Sequence, residues 1–278
     1  MVQEHMEFGT IREPIVEGIF YPGEEESLRT TVSDLLRRSA VPAGIANAII
    51  VPHAGYDYCG SIIASGFKAA AGREIKRVVV LGPVHRDPEE AVYLPESGWF
   101  RTPLGLMSVD KNAVLALEAF GPPIVRNDIP HLEEHCIEVL LPFIQYLFPQ
   151  ALLVPILVGT ATQSVADRLA DALVAAAGGY GDQDTLLVLS ANMTDYLDRE
   201  RSKRESSRLI DLIMSNCGCE ILDLRSRQEL TTCGAGLLAA LFRYAHDRLP
   251  AELLDRGASC TTNRDRNHTV EYAAISFS

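Results

Sequence analysis

Long apolar runs and an excess of positive charge are both missing from this chain of 278 residues. No apolar run approaches the roughly 20 residues that span a bilayer. The N-terminal stretch MVQEHMEFGTIREP also lacks the apolar region of a signal peptide. The chain carries 25 Lys and Arg against 37 Asp and Glu, with no basic stripe. We therefore expect a cytoplasmic protein that binds neither membranes nor nucleic acid.

Paired cysteine motifs and interdomain linkers are absent as well. The six cysteines include no C-x-x-C pair and lie at positions 59, 136, 217, 219, 233 and 260. Cys217 and Cys219, separated by one glycine, are a poor disulfide candidate, so reduced thiols are expected. Hydrophobic residues make up 47% of the chain, and no Ser/Gly, Pro-rich or charged spacer interrupts it. The sequence therefore predicts one domain over residues 1–278.

Short apolar runs alternate with segments of helical periodicity. The predicted strands are 48–51, 78–81, 152–158, 186–189 and 270–277. The predicted helices are 24–39, 61–71, 112–120, 134–148, 164–177, 205–216 and 234–247. Pro142 is expected to kink or end the first half of helix 134–148. This alternation predicts an α/β fold with a mainly parallel central sheet flanked by helices.

Polar side chains follow three of the predicted strands. His53 and His85 each come just after an apolar run, and Asn192 and Asp195 follow a third. Cys233 stands where a helix begins, a position that lowers the pKa of a thiol. Each residue alone is more often structural than functional, but the repeated arrangement predicts a transition-metal site with open positions.

The stretch HLEEH contains a second possible metal motif. His131, Glu134 and His135 match H-x-x-E-H, the inverted zincin pattern, which places both histidines on one helix face. So short a match arises by chance, and the alternative is a capped helix start with partly solvated glutamates.

Eight segments together resemble one family, in order along nearly the whole chain. They are VEGIFYPG (16–23), VPHAGYDYCG (51–60), VLGPVH (80–85), RTPLG (101–105), HLEEHCIEVLLPF (131–143), VPILVG (154–159), CGAG (233–236) and VEYAAISF (270–277). The chain resembles the Memo family, whose prokaryotic members include AmmeMemoRadiSam system protein B. The resemblance explains the HLEEH stretch as a family element rather than a protease motif.

This resemblance implies a fold similar to class III extradiol dioxygenases. It also implies a metal site lined by His53, His85 and Cys233, with iron or copper and oxidation chemistry. Glu134 and His135 are expected at the pocket border, where they are candidate catalytic residues. The family further implies radical-SAM and AMMECR-type proteins as partners, and an animal member is associated with phosphotyrosine peptides.

One stretch departs from the family pattern. Where the family usually reads Ser-Ser-Asp-x-x-His-Tyr, this chain has Asn192 for the aspartate and Asp195 for the histidine. An amide cannot act as a general base, and losing an imidazole removes a proton carrier. In one interpretation, Asp195 supplies the anionic ligand of a two-histidine, one-carboxylate triad, and Asn192 and Asp195 are both candidate catalytic residues. In the other, the acid–base pair of the family is lost.

Three more residues are candidates for substrate binding. Tyr56 and Tyr58 could stack on an aromatic substrate, although packing is the commoner role. Arg101 could pair with an anionic substrate or make a structural ion pair. Asp57 is expected in a turn. Glu138 either orients a metal ligand through its carboxylate or lies on a solvated face.

Two hypotheses about function follow. In the first, the protein is an oxygenase-like or related enzyme that uses iron, copper or zinc, and no nucleotide cofactor, on a small molecule. In the second, it binds a peptide or metabolite in the same cleft without turnover. The metal content, the substrate and the oligomeric state are not encoded in any motif that the sequence displays.

Overall fold

The apolar runs of the sequence form the central strands of one eight-stranded sheet. The computed structural model describes residues 8–86, 89–246, 249–259 and 267–278. The strands are β1 Ile11–Arg12, β2 Ala48–Val51, β3 Arg77–Pro83, β4 Val92–Leu94, β5 Trp99–Thr102, β6 Gly105–Ser108, β7 Ile124–Arg126, β8 Leu152–Val158, β9 Thr185–Ser190, β10 Leu197–Asp198, β11 Ala251–Ala258, β12 His268–Thr269 and β13 Glu271–Phe277. The helices are α1 Glu25–Arg38, α2 Tyr56–Lys68, α3 Lys111–Glu118, α4 Asp128–Glu133, α5 Leu141–Leu147, α6 Gln163–Ala177, α7 Arg199–Met214, α8 Gly218–Ser226 and α9 Ala235–Tyr244, with a 3-10 helix at Glu138–Leu140.

The strand order of the large sheet is β11-β13-β2-β9-β3-β8-β4-β7. The four central strands β2, β9, β3 and β8 run parallel to one another. They are buried along almost their whole length, as expected for parallel strands covered on both faces. On one side β13 and β11 continue the sheet antiparallel, and on the other β4 pairs antiparallel with β8. The predicted α/β fold with a mainly parallel sheet flanked by helices is confirmed.

Glycines let two helices approach the sheet closely. Gly66 of α2 stands where a Cβ atom would lie 2.3 Å from Cγ1 of Val51. Gly236 of α9 stands where a Cβ atom would lie 2.0 Å from Cβ of Ala161, in the loop after β8. Helix α2 therefore packs on β2, and α9 packs over the end of β8, which brings the start of α9 to the carboxyl edge of the sheet.

The predicted helix 134–148 is wrong in its first turn, while residues 138–147 are helical. Helix α4 ends at Glu133, and Glu134 is extended, with φ −96° and ψ 137°. A new helix, α5, begins at Leu141 with Pro142 in its first turn, where the missing N–H costs nothing. The guanidinium of Arg12 donates to the carbonyls of His131 and Glu134 at 2.9 and 2.8 Å, so the end of α4 is capped from a distant segment.

Because of this break, the two histidines of H-x-x-E-H do not share a helix face. His131 is buried in α4, with Nε2 3.1 Å from the carbonyl of Tyr93. His135 lies beyond the end of that helix. The inverted zincin geometry is therefore not formed. None of the helices in the described ranges combines the length and apolar character needed to cross a bilayer.

His131 predicts a pH dependence of folding stability. Burial lowers the pKa of His131 to about 4, against 6.5 for an ordinary histidine. Its contribution is therefore complete above pH 6.5 and is lost as the pH falls towards 4, because the unfolded chain binds the proton first. We expect the stability advantage of the wild type over His131→Gln, which keeps a donor but does not titrate, to shrink by about 3 kcal/mol between pH 7 and 4. Urea unfolding at both pH values measures it; a pH-independent difference would contradict it.

Candidate metal centre

Three predicted ligands meet beyond the carboxyl edge of the sheet. His53 follows β2, His85 follows β3, and Cys233 precedes α9. Because β2 and β3 both lie parallel to β9, their carboxyl ends open on the same edge of the sheet. The ligand atoms of the three side chains all lie within 4.8 Å of one another. The sequence thus identified a group that the fold brings together.

The hydrogen bonds of His53 fix its tautomer. The single hydroxyl proton of Ser190 is donated to the carbonyl of Cys136 at 2.7 Å. The Ser190 oxygen must then accept from Nδ1–H of His53, which lies 2.8 Å away. Burial, with repulsion from the two neighbouring imidazoles, holds the pKa of His53 well below its usual range. The ring is therefore neutral and presents the lone pair of Nε2 to the cluster.

Glu134 orients His85 through two contacts. Its Oε2 accepts from Nδ1 of His85 at 2.8 Å, and its Oε1 accepts from the backbone N–H of His85 at 2.6 Å. A hydrogen bond with Cys233, followed by the one with Glu134, raises the pKa of His85 to about 10. Burial raises the pKa of Glu134, but the bonds from His85 outweigh it and the net shift is downward. Nε2 of His85 is thereby turned towards the sulfur.

Short loop contacts hold Cys233. Its Sγ lies 3.7 Å from Nε2 of His53 and accepts from the backbone N–H of Asn192 at 3.4 Å. The hydroxyl of Thr232 donates to the Asn192 carbonyl at 2.7 Å and accepts from the N–H of Gly234 at 3.1 Å. The thiol is free. The end of β9 and the start of α9 are therefore tied together around the sulfur.

Gly236 is expected to be intolerant of a side chain. A Cβ atom there would lie 2.0 Å from Cβ of Ala161, so the start of α9 must shift. We expect Gly236→Ala to lower the free energy of unfolding by about 1–3 kcal/mol through overpacking. Gly179→Ala is the matched control, because nothing lies within 4 Å of its Cβ position. Urea unfolding of both variants measures the effect, and equal stabilities would refute the close contact.

A third imidazole lies beside the ligands. The ring of His135 stacks on His85 with centroids 5.6 Å apart and planes 11° apart, and lies 5.8 Å from the ring of His53. Phe20 covers it edge-on at 5.0 Å. Burial, then repulsion from His85, lowers the pKa of His135. Glu134 and His135 thus border the cluster but do not line the adjacent cavity, and they are not part of the three-ligand set.

Asn192 and Asp195 lie in different places relative to the ligand cluster: Asn192 contacts the loop of His53, and Asp195 lines the cavity. Oδ1 of Asn192 accepts the backbone N–H of His53 at 3.3 Å, so the amide braces the loop that carries this ligand. Asp195 lines the adjacent cavity, and within the described ranges its carboxylate does not join the ligand cluster. Of the two predicted anionic ligands, the fold brings Cys233 to the histidines. The two-histidine, one-carboxylate arrangement is corrected to two histidines and one cysteine.

A cavity of about 550 Å³ opens beside the ligands. Its lining includes His85, Cys233, Asp195 and Arg225, together with apolar side chains from the ends of β3 and β8 and from α8 and α9. Arg225, near the end of α8, was not anticipated from the sequence. It stands in no motif, and only the tertiary packing of α8 on α9 brings it to the cavity.

None of the three predicted substrate-binding residues lines this cavity. Tyr56 is buried, and its hydroxyl donates to the carbonyl of Val139 at 2.9 Å, so it packs in the core. Arg101 pairs with Glu13 at 2.7 Å on the surface. Tyr58 is exposed in the first turn of α2. An internal hydrogen bond and a surface ion pair account for Tyr56 and Arg101.

Two further expectations are corrected. Asp57 lies in the first turn of α2 rather than in a loop turn. Glu138 is buried, and its carboxylate accepts from the guanidinium of Arg12 and from the hydroxyl of Tyr21, the latter at 2.6 Å. It anchors the N-terminal segment, and the carboxylate that orients a ligand is Glu134.

Fold and site together define an α/β protein with a candidate mononuclear His₂Cys centre beside a cavity. The sequence profile described as "Memo-like protein" matches residues 12–276. The chain belongs to the Memo family. MEMO1 family proteins of Sulfurisphaera tokodaii and Methanopyrus kandleri are each 29% identical to it, over 96% of this chain and 99% and 98% of theirs. A crystal structure of an uncharacterized Escherichia coli K12 protein aligns with a TM-score of 0.49 and 9% identity, covering 83% of this chain and 99% of that one.

Proposed function

We propose that this protein is a metal-dependent enzyme acting on a small molecule bound in the cavity. His53, His85 and Cys233 hold the metal in this proposal. The observation that supports it is a set of three protein ligands at a cavity, since structural sites usually close with four ligands and catalytic sites keep one position open.

The donor set fits a transition metal. Metal–nitrogen bonds of about 2.0 Å and metal–sulfur bonds of about 2.3 Å place tetrahedral N and S ligands about 3.6 Å apart. The observed separation of Cys233 Sγ and His53 Nε2 is 3.7 Å. Imidazole and thiolate together suit iron, copper or zinc rather than magnesium or calcium. The separation of this pair of ligand atoms therefore requires little rearrangement on binding.

Once bound, such a metal supplies Lewis-acid or redox chemistry at the cavity. Side chains of the protein orient the residues that would hold the metal. Ser190 and Glu134 fix the rings of His53 and His85 so that both Nε2 atoms converge on the cluster. The cavity beside the cluster positions the substrate and limits the access of water. An oxygenase-like reaction is the proposed activity.

Binding without turnover is a second candidate. It is favoured by Asn192, whose side-chain oxygen accepts a backbone N–H and whose amide cannot act as a base. In this case the cavity would hold a peptide or metabolite, and the metal would be absent or structural. The two candidate functions differ in one testable feature: the enzyme requires a bound metal with an open coordination position, and binding without turnover does not.

Cobalt substitution tests that position. Protein prepared without a polyhistidine tag is loaded with Co²⁺, and its visible and near-ultraviolet spectrum is recorded before and after adding azide. The proposed enzyme predicts one Co²⁺ per chain, a thiolate charge-transfer band that Cys233→Ser removes, and an azide-dependent change of the visible bands. Absence of stoichiometric Co²⁺, or a spectrum insensitive to azide, would overturn the proposal in favour of binding alone.

Ser190 predicts an effect on metal affinity without contacting the metal. Ser190→Ala removes the acceptor that fixes the Nδ1–H tautomer of His53. We expect metal affinity to fall about 10- to 100-fold, the usual effect of losing a group that orients a metal ligand. Ser65→Ala is the matched control, since Ser65 is also buried but hydrogen-bonds to Ser61 and Asp255 instead. Competition with a chromogenic chelator measures both, and equal affinities would contradict the prediction.

Radical-SAM and AMMECR-type proteins remain predicted partners, as implied by the family. Co-purification with the products of neighbouring genes checks this prediction. A cytoplasmic location is likewise a prediction, which fractionation of the native cells checks.

A further inference from the structure

Two opposite charges line the cavity without pairing. Arg225 comes from the end of α8, and Asp195 from the loop after β9. Arg225 makes no ion pair with any described residue, and Asp195 likewise makes none. Burial raises the pKa of Asp195, and the positive charges of Arg225 and His85 offset this rise only in part. One cavity therefore offers a free cationic group and a free anionic group.

The loop that carries Asp195 is firmly held. The backbone N–H of Asp195 donates to the hydroxyl of Thr231 at 3.1 Å, and this hydroxyl donates to the carboxylate of Glu205 at 2.8 Å. Glu205 is buried and also accepts from Arg201 at 2.6 Å. The backbone position of Asp195 is thus set by a continuous chain of hydrogen bonds, and its carboxylate is left for the cavity.

The rest of the lining combines apolar side chains with the hydroxyl groups of Thr160, Thr162, Ser226 and Thr232. Val84, Val158, Ala161, Leu222 and Leu237 contribute side chains without charge. The metal ligands His85 and Cys233 form the inner wall.

Charge complementarity selects among ligand classes. A neutral ligand would cover both charged groups without pairing either, which costs free energy through lost hydration. Arg225 and the proposed metal would attract a dianion, but Asp195 would repel it; a dication would be attracted by Asp195 alone and repelled by both Arg225 and the metal. A molecule with one group of each sign satisfies both.

We infer that the substrate is a small zwitterion of the amino-acid class. Its carboxylate pairs with Arg225, its ammonium pairs with Asp195, and its apolar side chain lies along the hydrophobic lining near the metal ligands. This inference rests on the proposed function, since it assigns the substrate class of the same cavity.

Binding of matched probes tests the inference. The proteinogenic L-amino acids are screened at millimolar concentration by the shift in thermal unfolding, and the strongest is compared by calorimetry with its deaminated acid and its decarboxylated amine. For L-leucine these are 4-methylpentanoate and 3-methylbutylamine. We expect the amino acid to bind about tenfold more tightly than either single-charge analogue, the effect of one hydrogen-bonded charge pair.

Two variants test which charged group of the amino acid is bound by Arg225 and which by Asp195. Arg225→Gln should remove the preference for the amino acid over the amine, and Asp195→Asn should remove its preference over the acid. Arg227→Gln and Asp211→Asn are the matched controls, since both residues are exposed and neither lines the cavity. Wild-type preferences should persist in both controls.

Several results would contradict a zwitterionic substrate, and each can be told from the others. Failure of every amino acid to bind, or equal binding of acid and amino acid, overturns the inference. Tighter binding of the acid by Asp195→Asn, with no amino-acid preference in the wild type, would show that Arg225 and Asp195 pair with each other instead. Elemental analysis of the same samples separates the two proposals: metal without amino-acid selectivity rejects the zwitterion alone, and selectivity without metal rejects the metal-dependent enzyme.

Discussion

Replacing either His53 or His85 with alanine is expected to lower bound metal from about one ion per chain to below about 0.1. Each ring supplies one of the three candidate ligands that the described residues bring to the cluster. Both rings are already held in the binding orientation by Ser190 and Glu134, so the wild-type site needs little reorganisation. Elemental analysis of iron, copper and zinc in tag-free protein measures the loss.

The matched control removes an imidazole outside the cluster. His246 is exposed and has φ 55°, a left-handed conformation that asparagine tolerates better than alanine. His246→Asn should therefore bind metal as the wild type does. Cooperative thermal unfolding of the two alanine variants excludes misfolding as the cause. Full metal content in both folded variants would show that the cluster is not the binding site.

The three candidate ligands could be picked out from local signals in the sequence, and the family resemblance implied that they form one set. His53 and His85 come directly after continuous apolar runs, and such runs become parallel central strands. Parallel strands end at one edge, so residues far apart in sequence converge there. Cys233 required the additional inference that a helix begins beside it, which α9 confirms.

The break at Glu134 could not be predicted from the same signals. The segment 134–148 has helical periodicity, but Arg12 binds the carbonyls at the end of α4 from more than a hundred positions away. Local propensity is overridden by this tertiary contact. The consequence for the site is large, because the extended Glu134 can reach both the backbone and the ring of His85.

Strand β11 and Arg225 were missed for different reasons. The strand Ala251–Ala258 forms an edge of the sheet and is only partly buried, so its sequence shows neither a continuous apolar run nor clear alternation. Arg225 is the single arginine of α8 and is exposed, as is Arg227 directly after the helix. Nothing in the residues around it distinguishes an arginine that lines a cavity from one that is solvated.

Glu138→Gln is expected to lower the free energy of unfolding by about 3–5 kcal/mol, because it leaves the guanidinium of Arg12 buried beside a neutral group. Both side chains are almost completely buried, at 0% and 1% exposure. The carboxylate also accepts the backbone N–H groups of Ile15 and Val16 at 2.9 and 3.0 Å and the hydroxyl of Tyr21. An amide offers one acceptor oxygen where the carboxylate offers two, so these bonds cannot all be kept. Urea unfolding at pH 7 measures the loss.

Glu25→Gln is the matched control for this change. Glu25 pairs with Arg29 on the exposed face of α1, a contact worth at most about 0.5 kcal/mol. Metal content then separates the two roles considered for Glu138. An anchor of the N-terminal segment predicts that folded Glu138→Gln protein still binds one metal ion per chain, because Glu134 rather than Glu138 contacts His85. Loss of metal with unchanged stability would instead assign Glu138 to the orientation of a ligand, since a residue that only supports the fold cannot affect the metal while leaving stability intact.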